Sequence, residues 1–391
     1  MHAMKELAVQ DKAIWTRFQK EFAARGIEKP RIVIHGGYGK HNLGDDAILE
    51  AILLRLESLW PQARVSVLCH DPRPVHTRHP SVNAHSFKSW GALRAICSSD
   101  LYVIGGGGIV NRINTYSGFT RLRALDPKGK FLFLAGWLSK LCGARLVFYS
   151  VGTTSMPDRV VGWLVRAVVS RADSVSVRDP LSLKVLRETG VTRDVLVLPD
   201  PATGLRPVGE EQATEILLRA GVDVNRPLIG ICMRYVREPG ISNAETVVHT
   251  ARVIEWLIES QAAQVLFVPF GRHPRKQVEN DVAFAREVRA QLSSDRDFFV
   301  LDREYRPAEV QAILARMNVC ILERLHACIL ATSVHTPLIA VAYDAKVSEF
   351  MKLSGQGERV IPLRDFSLET VQAKWRELEL SLNHGLASED F

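Results

Sequence analysis

The sequence predicts an α/β protein made of two doubly wound, Rossmann-like domains that face a cleft. Short, almost entirely apolar runs alternate with helical patterns along most of the 391 residues. These runs lack a two-residue alternation of apolar and polar positions, which is typical of parallel strands that are buried on both faces. The series of strands and helices also occurs twice, on either side of a polar segment at residues 205–225. A chain of this length is sufficient for two separate cores.

The elements follow from these patterns in chain order. Residues 1–30 have mixed charges at helical spacing and predict an amphipathic helix. The first domain is predicted at residues 31–205, the second at 206–366, and a final helix with an acidic tail at 367–391. The predicted strands of the first domain are residues 31–35, 64–68, 101–104, 145–150, 174–177 and 195–198. Those of the second domain are residues 228–233, 264–268, 298–301, 318–322 and 338–342.

Composition excludes several classes of protein. No stretch approaches the roughly 20 apolar residues that cross a bilayer, and the N-terminus lacks the apolar region of a secretory signal. Six scattered cysteines without a CxxC pair predict reduced thiols and a cytoplasmic location. The net charge of +7 includes no basic block, so we expect no nucleic-acid partner. A small anionic substrate fits this charge, while peripheral membrane contact and the oligomeric state stay open.

Two further groups of residues are interpreted as structural. Cys69 and the three histidines that follow it match no zinc spacing, so we expect no metal. We also expect the first five tryptophans of the chain to pack in cores rather than form a stacking surface. These tryptophans are Trp15, Trp60, Trp90, Trp137 and Trp163.

Glycine-rich segments follow two strands at the edge where ligands bind in doubly wound sheets. The first runs from Gly36 through Asn42 and Gly44 to Asp45, and the second contains four consecutive glycines. Glycine costs about 0.5–1 kcal/mol in regular structure, so this run predicts a bare backbone that a ligand approaches. A phosphate or sugar site is one interpretation; a helix-capping role for Asp45 or Asp46 is the alternative. The glycines singled out as substrate-binding are Gly106, Gly107 and Gly108.

Basic residues also follow the predicted strands. Arginine forks match phosphate and carboxylate groups, and lysine adds a point charge. Together these side chains predict an edge suited to a compact polyanion, although each by itself fits an ordinary surface charge. The basic residues and the accompanying histidine are Arg178, Arg234, Arg324, Lys346 and His326.

In this order, the motifs resemble those of the polysaccharide pyruvyl transferase family, which includes the cell-wall ketal-forming enzyme of Gram-positive bacteria. The family's acid after the glycine run is replaced here by Asn111 and Asn114 nearby. The resemblance extends from about residue 31 to residue 353. The matching segments are Gly39 to Leu49, Asp100 to Gly108, Val177 to Leu186, Asp200 to Ala202, Arg324 to Ala327 and Pro337 to Val347.

The resemblance implies a fold similar to GT-B glycosyltransferases and transfer of a pyruvyl group from phosphoenolpyruvate to a sugar. It implies no further cofactor, and the acceptor's identity and lipid linkage stay open. His326 is the expected general acid or base, because histidine titrates near neutral pH. Arg178 and Arg324 are expected to hold the donor's phosphate and carboxylate, and Lys346 to stabilise the departing phosphate. Arg234 is a further donor candidate, and the acceptor is expected near Asn42, Asp45 and the glycine run.

Two other functions share this architecture. A nucleotide-sugar glycosyltransferase would transfer a sugar, and a non-catalytic protein would bind phosphorylated metabolites without releasing phosphate.

Overall fold

The computed structural model describes residues 2–110, 127–153, 159–301 and 303–387. The chain divides into two compact units. The first unit comprises Met1–His41 and Asp45–Thr203, and the second comprises Asn42–Gly44 and Gly204–Phe391. Each unit is a parallel sheet with helices between successive strands.

The strands through residue 203 are β1 (Arg31–His35), β2 (Arg64–Cys69), β3 (Asn83–Ser86), β4 (Leu101–Val110), β5 (Arg145–Thr153), β6 (Ser174–Val177) and β7 (Leu196–Val197). The helices over the same range are α1 (His2–Ala24), α2 (Leu43–Leu59), α3 (Pro72–Arg78), α4 (Trp90–Ser98), α5 (Pro127–Leu141), α6 (Arg159–Val169) and α7 (Pro180–Glu188).

The remaining strands are β8 (Leu228–Cys232), β9 (Gln264–Phe267), β10 (Phe298–Val300), β11 (Val319–Leu322), β12 (Leu338–Ala342) and β13 (Val360–Pro362). The remaining α-helices are α8 (Glu210–Arg219), α9 (Asn243–Ser260), α10 (Asp281–Arg289), α11 (Pro307–Ala315), α12 (Leu325–Ser333), α13 (Ala345–Leu353) and α14 (Leu368–Ala387).

Strand order determines which loops meet. The first sheet has the order β3-β2-β1-β4-β5-β6-β7 and the second β10-β9-β8-β11-β12-β13. The direction of winding reverses between β1 and β4 in the first sheet, and between β8 and β11 in the second. His35 lies in register with Ile104, and Cys232 with Leu322. The loops after these strand pairs therefore leave the same edge side by side, which is where doubly wound folds bind ligands.

Most predicted strands are present, and the differences have physical causes. β4 continues through the glycine run to Val110, because its backbone pairs with β5 as far as Thr153. β3 and β13 were not predicted, because each is a strand of only three or four residues at the edge of its sheet and neither is buried along its whole length. The proline-rich segment after Asp71 forms α3, because a proline fits the first helical turn and the Asp71 side chain caps it.

The N-terminal helix is part of the first unit's core. Trp15, Phe18 and Phe22 of α1 are fully buried. The Trp15 ring meets Tyr149 edge-on at 4.9 Å and Trp60 at 6.5 Å. The apolar side of α1 is therefore used within the unit. The prediction of core packing is confirmed for Trp15 and Trp60.

The prediction of core packing is wrong for Trp90, Trp137 and Trp163. The exposed fraction is 85% for Trp90, 38% for Trp137 and 64% for Trp163. All three lie on helices between strands of the first sheet. Hydrophobic character had indicated burial, but each side chain lies on the outward side of its helix.

Candidate active site

His326 lies where β11 turns into α12. Arg324 is the N-cap of this helix, in extended conformation, so His326 lies in the first turn at the carboxyl edge of the second sheet. The imidazole packs on Gly44, where a Cβ would lie 2.3 Å from Nδ1. Only a glycine at position 44 leaves space for this ring.

The segment Asn42–Gly44 is attached to this part of the second unit. The Leu43 amide donates to the Phe270 carbonyl at 2.8 Å, and Asn42 forms an antiparallel bridge with Gly271. The Asn42 Oδ1 accepts the Gly44 amide at 3.2 Å. Asn42 had been predicted within an N-terminal domain that spans residues 31–205. The structure groups it with the second unit because these backbone bonds join it to the loop after β9.

Arg324 forms a bidentate ion pair with Asp281. Its Nε lies 2.7 Å from Oδ2 and its Nη2 lies 2.6 Å from Oδ1 of a fully buried carboxylate. Burial opposes the charge of Arg324, but the neighbouring carboxylate outweighs burial, so the pKa of Arg324 is raised. Asp281 Oδ2 also accepts the amides of Phe270 and Gly271 at 2.9 and 2.7 Å. Through Asp281, Arg324 thus holds the loop after β9, to which Asn42 is attached. This positioning role is additional to its predicted phosphate contact.

Glu323 is a fully buried carboxyl beside this pair. Its Oε2 accepts the Arg234 amide at 2.9 Å, and within the described residues its Oε1 has no hydrogen-bond partner. Burial raises the pKa of Glu323 to about 8, against the opposing effect of the Arg234 charge. The group is therefore largely protonated at neutral pH and adds little negative charge to this edge.

Two cations flank the ring of Tyr343. The Arg234 guanidinium lies 5.5 Å from the ring centroid, and the Lys346 Nζ lies 4.8 Å from it. Arg234 Nε donates to the Tyr235 carbonyl, and Lys346 is 3.7 Å from the half-buried carboxylate of Asp344. Among the described residues, no buried carboxylate pairs with either of these two side chains, in contrast to Arg324. The structure thus brings Arg234 and Lys346 together, as their positions after β8 and β12 predicted.

Other protein atoms fill the space beside the glycine run of the first unit. A Cβ at Gly106 would lie 3.2 Å from Ile48 and Pro201, and one at Gly107 would lie 3.3 Å from Asp45. Gly107 also has a left-handed φ of 83°, which favours glycine. Of the residues predicted to bind substrate here, Gly106 and Gly107 are buried and Gly108 is exposed. The expectation of a bare backbone along the whole run is therefore wrong.

The Asp45 carboxylate lies against the glycine segment after β1 and against the glycine run within β4. It is 3.1 Å from the Cβ position of Gly37, in addition to its approach to Gly107. The adjacent Tyr38 ring is buried, and within the described residues its hydroxyl has no hydrogen-bond partner. Burial, followed by the negative charges of Asp45 and Asp200, raises the pKa of Tyr38. Asp45 therefore belongs to a carboxylate-rich edge of the first sheet.

Arg178 is held between two carboxylates at the same edge. Its Nε is 3.2 Å from Asp179 and its Nη1 is 3.4 Å from Asp200, and all three side chains are at least about nine-tenths buried. The guanidinium lies flat on Gly152, where a Cβ would be 2.7 Å from Cζ. Asp179 caps α7 by accepting the Ser182 amide. Arg178 is thus in the first unit and outnumbered by carboxylates, unlike the cations around Tyr343.

The two sheet edges therefore differ in charge. In the first unit Asp179 and Asp200 contact the one guanidinium of Arg178, and Asp45 lies at the same edge. In the second unit, among the described residues, the side chains Arg234, Arg324 and Lys346 outnumber the carboxylates Asp281 and Asp344 that contact them. Within the ranges that the structure describes, no cluster of three His, Cys, Asp or Glu side chains has an arrangement that could hold a metal ion. Asn111 and Asn114 lie outside the described residues.

Comparison with known proteins identifies the family. The family model described as polysaccharide pyruvyl transferase matches residues 42–345, which include His326 and its surrounding residues. The chain belongs to this family. A search of curated protein sequences found no match.

Solved structures of other proteins have a fold similar to that of this chain. A UDP-GlcNAc 2-epimerase from Methanocaldococcus jannaschii is 11% identical, with a TM-score of 0.58, and the match covers 88% of this chain and 91% of that one. An S. aureus MnaA–UDP co-structure is also 11% identical, with a TM-score of 0.54 and coverage of 89% and 87%. The predicted GT-B-like class, with two doubly wound Rossmann-like units, is confirmed.

The sequence did not reveal Asp281 or the role of Tyr343. Asp281 lies 43 positions before its partner Arg324, so no local pattern links the two residues. Asn280, the N-cap of α10, indicates a helix start beside Asp281 but not the ion pair. Tyr343 belonged to a matching motif, but nothing in its spacing indicated a ring between two cations. Both contacts depend on strands that pair across long sequence separations.

Proposed function

We propose that this protein transfers the carboxyethylidene group of phosphoenolpyruvate to a sugar of a bacterial polysaccharide or of its lipid-linked precursor, with release of phosphate. The observation that carries this proposal is the combination, at one sheet edge, of His326 on Gly44 with cations around Tyr343. A basic edge complements a small donor that carries both a carboxylate and a phosphate. Membership of the pyruvyl transferase family gives the class of group transferred.

We assign the donor to the second unit. Within the part of the chain that the structure describes, no buried carboxylate pairs with the side chains of Lys346 and Arg234, which flank Tyr343. Lys346 is suited to stabilise the departing phosphate. Arg324 uses one N–H of Nε and one of Nη2 for Asp281, which leaves the Nη1 hydrogens and the second Nη2 hydrogen for other acceptors. We therefore assign Arg324 primarily to positioning, and Lys346 with Arg234 to the main donor contacts.

The chemistry requires protons to move in both directions. The donor methylene carbon gains a proton, one sugar hydroxyl adds to C2, and the C2–O bond to phosphate breaks. A second hydroxyl then closes the ketal, so two hydroxyl protons are released while one is taken up by carbon and one by phosphate. We assign His326 to this proton transfer, because an imidazole can accept and return a proton near neutral pH.

We assign the acceptor to the first unit. Carboxylates accept hydrogen bonds from sugar hydroxyls, and Asp45 lies at an edge where carboxylates are in excess. Arg178, which the family resemblance assigns to the donor, is paired with Asp179 and Asp200 at this edge. We propose the cytoplasm as the location, because the donor is an intracellular metabolite and the cysteines are free thiols.

The reaction itself provides the primary test. Purified protein is incubated with phosphoenolpyruvate and a panel of sugar and lipid-linked sugar acceptors, and released phosphate and product mass are measured. A product heavier by one carboxyethylidene group, formed with equal release of phosphate, would support the proposal. Transfer of a sugar from a nucleotide sugar would favour the glycosyltransferase alternative, and donor binding without phosphate release would favour a binding protein.

Site variants then test the residue roles. His326→Ala is expected to lower kcat about 10²-fold or more, with donor binding retained. His249→Ala, on the half-buried surface of α9, is the matched control. Lys346→Gln and Arg178→Gln separate the two edges: the first is expected to raise the donor KM and the second the acceptor KM. A donor KM that rises only in Arg178→Gln would contradict the assignment of the donor to the second unit.

A further inference from the structure

Three neighbouring helices of the first unit expose large apolar side chains. α4 packs against α5, and α5 against α6, and Cys97 of α4 interacts with Cys142 just after α5. Three of the exposed side chains lie at positions 134, 137 and 141, which follow one stripe along α5. We define the tryptophan face as Trp90, Leu93, Leu134, Trp137, Leu141 and Trp163, all exposed.

The opposite sides of the same helices pack in the core of the first unit. Ala92 and Ile96 of α4, Phe133 of α5, and Leu164 and Val168 of α6 are buried in one apolar cluster. The tryptophan face is therefore additional apolar surface that the fold does not require. Several large apolar side chains exposed on helices that pack side by side are typical of an interaction site.

The charge of these helices is of one sign. Their sequences contain six basic residues and no acidic one. Arg94 and Arg166 have exposed side chains on the same helices as Trp90 and Trp163. Lys140 is paired with Asp173, at 2.6 Å. An anionic partner is thus favoured over a neutral or cationic one.

We propose that the tryptophan face docks on the surface of an anionic lipid bilayer. Tryptophan rings favour the boundary between acyl chains and headgroups, and nearby basic residues add attraction to anionic lipids. A symmetric contact with a second copy would bring the same basic helices together, which the charge disfavours. The amphipathic helix α1 is not an alternative docking surface, because its Trp15 side is buried against Trp60 and Tyr149.

Vesicle binding tests this proposal without donor or acceptor, so its outcome is independent of the proposed reaction. The full chain is sedimented with phosphatidylglycerol–phosphatidylcholine vesicles and with pure phosphatidylcholine vesicles. Binding is expected to the anionic vesicles and to fall with added salt. Quenching of tryptophan fluorescence by brominated lipid is expected to accompany it.

Two variants separate the apolar and basic contributions. Trp90→Ser/Trp163→Ser is expected to weaken vesicle binding by about tenfold or more, because each ring loses its interfacial contact. Arg94→Gln/Arg166→Gln is expected to weaken it roughly 25-fold, at about fivefold for each basic residue. The matched controls are Leu218→Ser/Leu353→Ser, which remove exposed leucines of the second unit, and Lys184→Gln/Arg219→Gln. Circular dichroism checks that each variant is folded.

Three outcomes would overturn the proposal. The first is no binding of the wild type to anionic vesicles. The second is equal weakening by the control variants, which would show a non-specific effect. The third is a wild-type dimer that Trp90→Ser/Trp163→Ser converts to a monomer in sedimentation equilibrium, which would assign the tryptophan face to self-association.

Discussion

The buried carboxyl of Glu323 predicts an unusual dependence of stability on pH. Oε2 accepts one backbone amide, and the side chain is fully inaccessible to solvent. Burial raises its pKa to about 8, so the folded protein binds a proton that the unfolded chain releases near pH 4.5. Glu323→Gln keeps the size and the acceptor oxygen but removes the ionisation.

The magnitude follows from the difference between the two pKa values. Because the folded-state pKa of Glu323 is the higher one, its contribution to stability is full below about pH 4.5 and is lost as the pH rises through 8. At 1.36 kcal/mol for each pKa unit, the loss is about 3–5 kcal/mol between pH 4.5 and pH 9. Glu323→Gln does not lose this free energy. Relative to wild type, the variant is therefore expected to gain stability steadily as the pH rises.

The assay is urea unfolding of wild type and variant at half-unit intervals from pH 5 to pH 9. Hydrogen exchange of peptides from β8 and β11 reports the second unit separately. Glu259→Gln, an exposed glutamate on α9, is the control and is expected to show no such trend. A stability difference between Glu323→Gln and wild type that does not change with pH would refute the reasoning. It would mean that the Glu323 pKa is the same in the folded and the unfolded protein.

Two other variants test contacts around His326. Asp281→Ala leaves Arg324 buried without its partner and is expected to lower the free energy of unfolding by about 3–5 kcal/mol, measured by urea unfolding; a loss within about 0.5 kcal/mol would show that the ion pair is not formed. Gly44→Ala places a methyl group 2.3 Å from the His326 Nδ1 and is expected to reduce turnover by about tenfold or more while the melting temperature stays within a few degrees. Gly209→Ala, where the added carbon has open space, is its control, and equal activity of the two variants would contradict the packing of the imidazole on Gly44.

The sequence by itself predicted the strand series and the location of the basic residues. Parallel strands buried on both faces are continuously apolar, so β1, β6 and β12 were predicted with the observed bounds. The rule that ligands bind at the carboxyl ends of such strands then selected Arg234, His326 and Lys346 without knowledge of contacts. The strand predictions are confirmed because each depends on a local pattern of a few residues, while the ligand contacts of these three side chains stay a prediction.

The tertiary structure decided which partner each side chain has. Arg324 pairs with Asp281, 43 positions away, and Arg178 pairs with Asp200, 22 positions away. Helical spacing alone did not show that Trp90 and Trp163 face outward, because exposure depends on which side of each helix meets the sheet. Strand pairing between distant segments creates these environments, and burial and charge compensation then follow from them. The residue types are local properties of the chain, but their pairing and burial depend on long-range contacts.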